Sequence, residues 1–167
     1  MKIERVDEKT VKCFISNEEL EEFDITYKDF ITRSEKAKEV VEEIIEQANY
    51  HLNRMTGGKY ELIRKQEAER KNESAGLGMV IFDAYTGEQR DTASLSGGES
   101  FQVSLSLALG LSDVVRSHSG GFTLDTMFID EGFGSLDEQS LHPAIRVLEE
   151  LAQSDRLIGI ISHVQDL

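Results

Sequence analysis

Apolar and polar residues follow two different repeats along this chain, and each repeat predicts a different element. In residues 2–15 the two classes alternate, as in a strand with one buried face. The apolar positions of this segment are Ile3, Val6, Val11, Cys13 and Ile15. The alternation predicts two short strands, with a turn at Asp7-Glu8-Lys9 between them.

Residues 34–55 predict one amphipathic helix. Ser34 is the candidate N-cap, because a serine hydroxyl can accept a hydrogen bond from an amide of the first turn. Seven apolar residues recur at helical spacing and form a single stripe: Val40, Val41, Ile44, Ile45, Ala48, Leu52 and Met55. The pair Gly57-Gly58 predicts the end of this helix.

The middle of the chain predicts two more strands and a second helix. The strands are expected at 59–66 and 77–90, with a polar loop between them and a turn at Thr86-Gly87. The second helix is expected over about 99–116, directly after Gly97-Gly98.

From the second helix onward, helices and apolar strands alternate along the sequence. The strands are expected at 123–130 and 156–162, with a third helix over about 138–152 between them. This order predicts an α/β fold whose parallel sheet has crossover helices. Ligands of such sheets bind at the carboxyl ends of the strands, so we expect the chemistry just after these two strands.

Composition narrows the class of protein. A length of 167 residues fits one domain or two small ones. No apolar run approaches the ~18 residues that span a bilayer, and the amino terminus lacks the apolar core of a secretory signal. The single cysteine excludes an internal disulfide. We therefore expect a cytoplasmic protein with no membrane partner.

The net charge of −14 bears on nucleic-acid binding. DNA is a polyanion, and proteins bind it mainly through lysine and arginine contacts to phosphate. No strong basic cluster stands out in the sequence. The chain alone should therefore bind DNA poorly, and any DNA contact is expected only as part of a complex.

Candidate chemistry follows both strands of the expected parallel sheet. Asp130 ends an apolar strand, which is where phosphate-transferring folds place a magnesium ligand. Glu131 comes next, is expected on the opposite side of the strand, and could deprotonate an attacking water. His163 follows the other strand and could donate a hydrogen bond to a phosphate. Taken singly, the two acids could instead cap a helix, and the histidine could be structural.

A second candidate is the segment "SLSGGESF" at 94–101. Two glycines between hydroxyl residues, directly before a helix, are suited to holding a phosphate on backbone amides. The same segment could also be only a helix-capping turn. The complementary phosphate loop, G-x-x-x-x-G-K-[ST], does not occur in this sequence.

Three motifs in this order resemble a known family. The segments "LSGGESF…LALGLSD", "TMFIDEGFGSLDEQSL" and "GIISHV" are similar to the carboxyl-terminal ATPase lobe of SbcC, in the SMC-like branch of ABC-type ATPases. The resemblance begins near Ala48 and runs to the end of the chain. It implies a partial ABC-type, P-loop NTPase-like lobe from the motor subunit of a double-strand-break nuclease complex.

The resemblance also implies residue roles. The ABC signature corresponds to Leu95, Ser96, Gly97, Gly98 and Glu99. In the family, the amides and serine of this motif contact the γ-phosphate of ATP held by the opposite subunit.

The remaining roles fall on the segment around the candidate acids and on the last strand. Asp130 matches the magnesium-binding Walker B aspartate, and Glu131 matches the general base. The D-loop, which crosses the dimer interface in the family, corresponds to Ser135, Leu136 and Asp137. His163 matches the switch histidine.

The same resemblance implies cofactors and partners. In the family the phosphate loop lies in an amino-terminal lobe, which a coiled coil separates from the carboxyl-terminal one. We therefore expect this chain to use ATP and Mg²⁺ only when an amino-terminal Walker A lobe is supplied. Dimerisation of two copies through ATP, and an SbcD-like nuclease subunit, are the further expected partners.

A second resemblance concerns the amino terminus. Residues 1–48 are similar to the start of MecA-type adaptors, which hand substrates to a Clp protease and regulate competence. We therefore expect a MecA-like segment of hairpin and helix at 1–48 and an SbcC-like lobe at 49–167. The join falls inside one helical pattern and suggests a fusion of two unrelated fragments. The alternative function is a MecA-like adaptor.

Overall fold

The protein is described by a computed structural model. The described residues are 2–7, 10–14, 20, 26, 28–29, 34–65, 79–118, 126–154 and 156–163. The elements in chain order are β1 (Lys2–Asp7), β2 (Thr10–Phe14), α1 (Glu35–Thr56), β3 (Tyr60–Arg64), β4 (Met79–Asp83), β5 (Glu88–Asp91), α2 (Gly97–His118), β6 (Thr126–Asp130), α3 (Glu138–Gln153) and β7 (Leu157–Ile161).

The two amino-terminal strands form the predicted hairpin. β1 and β2 pair antiparallel, with Ile3 opposite Cys13, and the register shifts between Arg5 and Asp7. Residues 8 and 9 of the predicted turn lie outside the described residues.

Helix α1 begins and ends as its sequence predicts. The Ser34 hydroxyl accepts a hydrogen bond from the Ala37 amide at 3.3 Å. At the other end Gly57 takes a left-handed φ of 61°, which glycine adopts without steric cost. All of the predicted stripe except Ile44 is buried. The helix continues unbroken through residue 48, where the two resemblances were expected to join.

The segment 77–90 forms two strands rather than one. β3, β4 and β5 make an antiparallel sheet in that order, and residues 77 and 78 lie outside the described part. The Asp83 side chain accepts hydrogen bonds from the amides of Tyr85 and Thr86 at 2.9 and 3.3 Å, and Gly87 has a φ of 73°. The predicted turn at Thr86-Gly87 therefore reverses the chain, and β5 returns along β4.

The predicted parallel arrangement is confirmed for the end of the chain. β6 and β7 pair in parallel, with Asp130 opposite Ile161, and α3 connects them. One face of this pair packs against α2 and α3. The buried residues of that core are Met55, Leu105, Leu109, Phe133, Ala144, Val147 and Leu148. No helix among the described residues is both long and apolar enough to cross a membrane.

Helices α1 and α2 pack closely at one glycine and one polar cluster. A Cβ on Gly110 would lie 2.5 Å from the backbone nitrogen of Ala48, so this approach requires glycine. Nearby, Asp113 lies 2.6 Å from both the buried imidazole of His51 and the guanidinium of Arg156. Burial raises the pKa of Asp113, but the hydrogen bonds from these two partners outweigh it and lower the pKa. The cluster fixes the start of β7 against both helices.

Candidate functional site

The carboxyl ends of β6 and β7 meet at one edge, as expected for parallel strands. The amide of Glu131 donates a hydrogen bond to the carbonyl of Ile161 at 2.8 Å. The Nε2 atom of His163 lies 2.8 Å from Oε1 of Glu131. The side chains of His163 and Glu131 are 87% and 54% exposed, so a ligand can reach both.

A turn, and not strand alternation, places Glu131. β6 ends at Asp130, and Glu131 has a φ of 60°. It alone among the described non-glycine residues has a positive φ. From strand alternation we expected Glu131 on the opposite side of the strand from Asp130. Alternation does not apply here, because the strand ends at Asp130 and Glu131 lies in a left-handed turn. Such strained conformations cost ~1–3 kcal/mol and occur often at functional sites.

The turn after Glu131 is anchored on α2 by aromatic packing. Gly132 has a φ of 101°, and a Cβ there would lie 2.3 Å from a ring carbon of Phe101. The rings of Phe101 and Phe133 meet edge to face, with centroids 4.9 Å apart. Gly132 is thus required for Phe101 to pass beneath the turn that carries the two acids.

The donor set at this edge fits a magnesium ion bound together with phosphate. Asp130 and Glu131 are exposed at the edge, and carboxylate oxygens are hard ligands suited to Mg²⁺. Among the described residues, no group of three or more histidine, cysteine or acidic side chains could hold a metal ion by itself. Mg²⁺ in phosphate-transfer sites usually takes only one or two protein carboxylates, with phosphate and water supplying the rest.

The segment 95–99 forms a reciprocal capping box at the start of α2. The Ser96 hydroxyl accepts a hydrogen bond from the Glu99 amide at 3.3 Å, and the Glu99 carboxylate accepts one from the Ser96 amide at 2.8 Å. Ser96 and Gly97 are exposed, whereas Leu95 is buried in the core between α1 and the antiparallel sheet. The side chain of Leu95 therefore packs, and the residues presented to solvent are Ser96 and Gly97.

Two residues outside the predicted signature hold its glutamate, Glu99. The Tyr60 hydroxyl donates a hydrogen bond to the Glu99 carboxylate, and Arg90 donates another at 3.2 Å. Burial raises the pKa of Glu99, but these bonds and those from Ser96 prevail and lower its pKa to about 2. Sequence reasoning missed Tyr60 and Arg90, because neither belongs to a local motif.

The residues predicted to form the D-loop pack against the glycines of the predicted signature in the same chain. A Cβ on Gly98 would lie 2.8 Å from the carbonyl oxygen of Ser135. The Ser135 hydroxyl donates a hydrogen bond to the Gly132 carbonyl at 2.6 Å. Leu136 is half-buried against the core beneath the parallel strands. The predicted signature and D-loop are thus neighbours within this chain.

Asp137 has a structural role in the chain as it stands. It is the N-cap of α3, and its side chain accepts a hydrogen bond from the Ser140 amide at 2.8 Å. Hydrogen bonds from Ser140 hold the pKa of Asp137 below its usual value.

The larger part of the chain is similar to one group of known proteins. Residues 78–150 match the family model described as SbcC/RAD50-like, Walker B motif. This region resembles SbcC. The SbcC component of the nuclease SbcCD from Vibrio cholerae is 54% identical over 128 residues, 77% of this chain and 13% of that protein. Its namesake in Treponema pallidum is 50% identical over 125 residues, 75% of this chain and 12% of that protein.

Solved structures support the same fold. One similar structure comes from work on ATP-driven dimerization and DNA-stimulated activation of SMC ATPases. Its TM-score is 0.55 at 13% identity, and the match covers 74% of this chain and 69% of the other chain. The Smc head domain with a coiled coil and joint from Pyrococcus yayanosii has a TM-score of 0.52 and 17% identity, covering 78% of this chain and 24% of its own. At these identities the likeness shows an SMC-head-like fold.

The amino-terminal part matches a different family. Residues 1–74 match the model of a negative regulator of genetic competence, MecA. This match extends past α1 and β3. Because 74 and 128 residues together exceed the length of the chain, the MecA-like and SbcC-like similarities overlap.

Proposed function

We propose that this chain supplies the carboxyl-terminal part of an SbcC-like ATPase head. Such a head would act in a nuclease complex that repairs DNA double-strand breaks in the cytoplasm. The observation that carries this proposal is the pairing of Glu131 with His163 at 2.8 Å, beside Asp130 and at the carboxyl edge of two parallel strands.

The roles of the three side chains follow from their chemistry. Glu131 orients an attacking water and accepts its proton. When ATP is bound, His163 donates a hydrogen bond to a phosphate oxygen. This hydrogen bond replaces the contact of His163 with Glu131. Asp130 would hold Mg²⁺, which when bound neutralises charge on the phosphates of ATP.

The chain requires a second lobe for catalysis. Most of the nucleotide affinity in phosphate-transfer sites of this type comes from a backbone cradle and its lysine. This sequence contains no such motif. Asp130 and Glu131 alone therefore bind ATP too weakly for turnover, and an amino-terminal Walker A lobe must complete the site.

The open face of the parallel strands supports this requirement. Phe128, Leu157 and Ile161 are exposed on β6 and β7, and Phe128 is 68% exposed. Parallel sheets in known folds are covered on both faces, and exposed apolar patches commonly mark interaction sites. We assign this patch, residues 128, 157 and 161, to the contact with the amino-terminal lobe.

The signature segment is assigned to a second copy of the head. Ser96 and Gly97 are exposed at the amino-terminal end of α2, where amides and the helix dipole favour an anion. The γ-phosphate of ATP on the opposite copy is the proposed anion, so ATP joins two heads. Gly98, Ser135 and Asp137 would also lie at this interface. The nuclease subunit and DNA would join the assembled complex.

The test is ATP hydrolysis by the chain with and without a separately expressed amino-terminal lobe carrying the phosphate loop. We expect no turnover from the chain alone and Mg²⁺-dependent turnover from the complemented pair. The control is a lobe whose phosphate-loop lysine is replaced by alanine. Turnover by the chain alone, sensitive to a change at Asp130, would contradict the proposal.

A second candidate function rests on the match of residues 1–74 to the MecA model. In this alternative, residues 1–48 form an adaptor segment that binds substrates for a Clp protease, and residues 49–167 form the SbcC-like lobe. A pull-down with purified components separates the two functions. Capture by a Clp-family unfoldase and not by the amino-terminal SbcC lobe would favour the adaptor.

A further inference from the structure

The carboxylate of Glu99 connects three parts of the chain that are distant in sequence. It accepts hydrogen bonds from the Ser96 amide at 2.8 Å, from Arg90 of β5 at 3.2 Å, and from the Tyr60 hydroxyl at the start of β3. The Lys59 ammonium lies 4.6 Å from the centre of the Tyr60 ring. The carboxylate of Glu99 therefore links the antiparallel sheet to the first turn of α2.

We propose that Tyr60 and Arg90 are positioning residues for the signature segment, holding Glu99 so that Ser96 presents its hydroxyl to a phosphate of the opposite copy. This inference rests on the proposed function. It adds two residues that lie outside every motif of the resemblance. Neither would touch the nucleotide, because both act through Glu99.

The hydrogen-bonding capacity of a hydroxyl explains why the capping box matters. A serine hydroxyl has one donor and two acceptor sites. Ser96 uses an acceptor site for the Glu99 amide, which leaves its O–H as a donor for a phosphate oxygen. If the box opened, the hydroxyl would rotate freely and lose this orientation.

Charge explains why Tyr60 and Arg90 are needed as well. A free carboxylate beside a phosphate would repel it. In this structure both Glu99 oxygens are engaged: Oε1 by Tyr60 and Arg90, and Oε2 by the Ser96 amide. The cation of Arg90 offsets the negative charge, so a phosphate can approach the exposed amide end of α2.

Helix α1 in turn fixes the position of Tyr60. The helix ends at Gly57, and β3 begins at Tyr60. The Asn49 side chain donates to the Leu62 carbonyl at 2.9 Å and accepts from the Leu62 amide at 2.7 Å. α1 and β3 are thus joined by two hydrogen bonds, two residues beyond Tyr60.

The experiment uses the chain complemented by the amino-terminal lobe, with ATP-dependent dimerisation followed by light scattering. The variants are Tyr60→Phe and Arg90→Gln, and the matched controls are Tyr85→Phe, in an exposed turn, and Arg146→Gln, at an exposed position of α3. Loss of one hydrogen bond to a charged group should raise the half-saturating ATP concentration about tenfold. Turnover at saturating ATP should stay within about twofold, and the controls should match the unmodified chain.

A second readout isolates the positioning role. Hydrogen exchange at the Ser96 and Glu99 amides should accelerate in Tyr60→Phe in the chain alone, because both amides donate within the capping box. Glu99→Gln should lose part of the ATP response, because its single amide oxygen can accept on only one of the two sides that the carboxylate serves, and Glu99→Ala should lose it.

The outcomes separate the two proposals. Unchanged exchange, or faster exchange with an unchanged ATP response, would overturn the positioning role. An unmodified assembly that never dimerises with ATP would overturn the proposed function. The hydrogen-exchange rates of the Ser96 and Glu99 amides would then still show whether Tyr60 and Arg90 stabilise the capping box.

Discussion

The imidazole of His163 lies 2.8 Å from the carboxylate of Glu131, although the two residues follow different strands. The parallel register of β6 and β7 produces this contact, since Asp130 lies opposite Ile161 and each candidate follows shortly after. Both side chains are exposed, and exposed pairs of this kind contribute at most ~1 kcal/mol to stability. The pairing is therefore better explained by a role at the edge than by a role in folding.

The open face of β6 and β7 gives the first prediction. Phe128→Glu should weaken association with the amino-terminal lobe at least tenfold, because it places a charge in an apolar contact. Phe128 is largely exposed in the chain alone, so thermal stability should change little. Association is measured by titrating the labelled lobe.

The control for that variant is Tyr85→Glu, since Tyr85 is also an exposed aromatic residue but lies in the turn between β4 and β5. Equal loss of affinity in both variants would indicate a general charge effect and would remove the assignment of the patch.

The second prediction concerns the signature segment. Ser96→Arg should abolish ATP-dependent dimerisation of the complemented heads, because a long cationic side chain would occupy the exposed position next to Gly97. Light scattering with and without ATP measures the dimer. Ser154→Arg is the matched control, at an exposed position after α3. An ATP-dependent dimer of the Ser96 variant would count against a trans contact by this segment.

The third prediction uses the left-handed conformation of Glu131. Asparagine tolerates this conformation better than glutamate or glutamine. Glu131→Asn should therefore raise the free energy of unfolding by ~0.5–1 kcal/mol over Glu131→Gln, while both variants lack a general base. Urea denaturation measures the difference. Equal stability of the two variants would show that the turn stores no strain.

The fourth prediction concerns pH. The pKa of Glu99 is about 2 in the folded chain, against an ordinary value of 4.5. A lowered pKa stabilises the folded state above the unfolded value, and this contribution is lost as the pH falls from about 4.5 towards 2. The stability difference between the unmodified chain and Glu99→Gln should therefore shrink across that window.

Urea midpoints of the two chains, measured at about pH 6 and at about pH 2.5, test this expectation. A difference that stays constant between the two conditions would show that Glu99 titrates normally. The hydrogen bonds from Tyr60 and Arg90 would then contribute less than their geometry indicates.

Much of the fold could be predicted because the signals were local. The stripe of α1, its Ser34 cap and its Gly57 end are read within one helix, and the structure confirms them, except that Ile44 is only half-buried. The order of helix and strand after residue 95 predicted the parallel pairing of β6 with β7. The edge that carries Asp130 and His163 followed from that topology.

The rest depended on contacts between distant segments. The turn that follows Glu131 packs on Phe101 of α2, whose ring lies against Gly132. Tyr60 and Arg90 approach Glu99 only after β3, β4 and β5 assemble, so no local pattern could reveal them.

The polar cluster of His51, Asp113 and Arg156 illustrates the same limit. His51 lies within the buried stripe of α1, between Ala48 and Leu52. Its place in the stripe is enough to indicate a buried polar group. Its partners come from α2 and from the start of β7. The sequence therefore indicates that a partner is needed without identifying it.

The most direct test of the central claim is the Glu131→Gln variant in the complemented assembly, with ATP turnover and ATP-dependent dimerisation measured on the same sample. The variant should lose turnover by at least about 10²-fold and should still dimerise, because glutamine cannot accept the proton but leaves the phosphate contacts in place. Glu149→Gln, on the exposed face of α3, should behave as the unmodified chain. Normal turnover by Glu131→Gln would contradict the account, because the general base would then lie elsewhere.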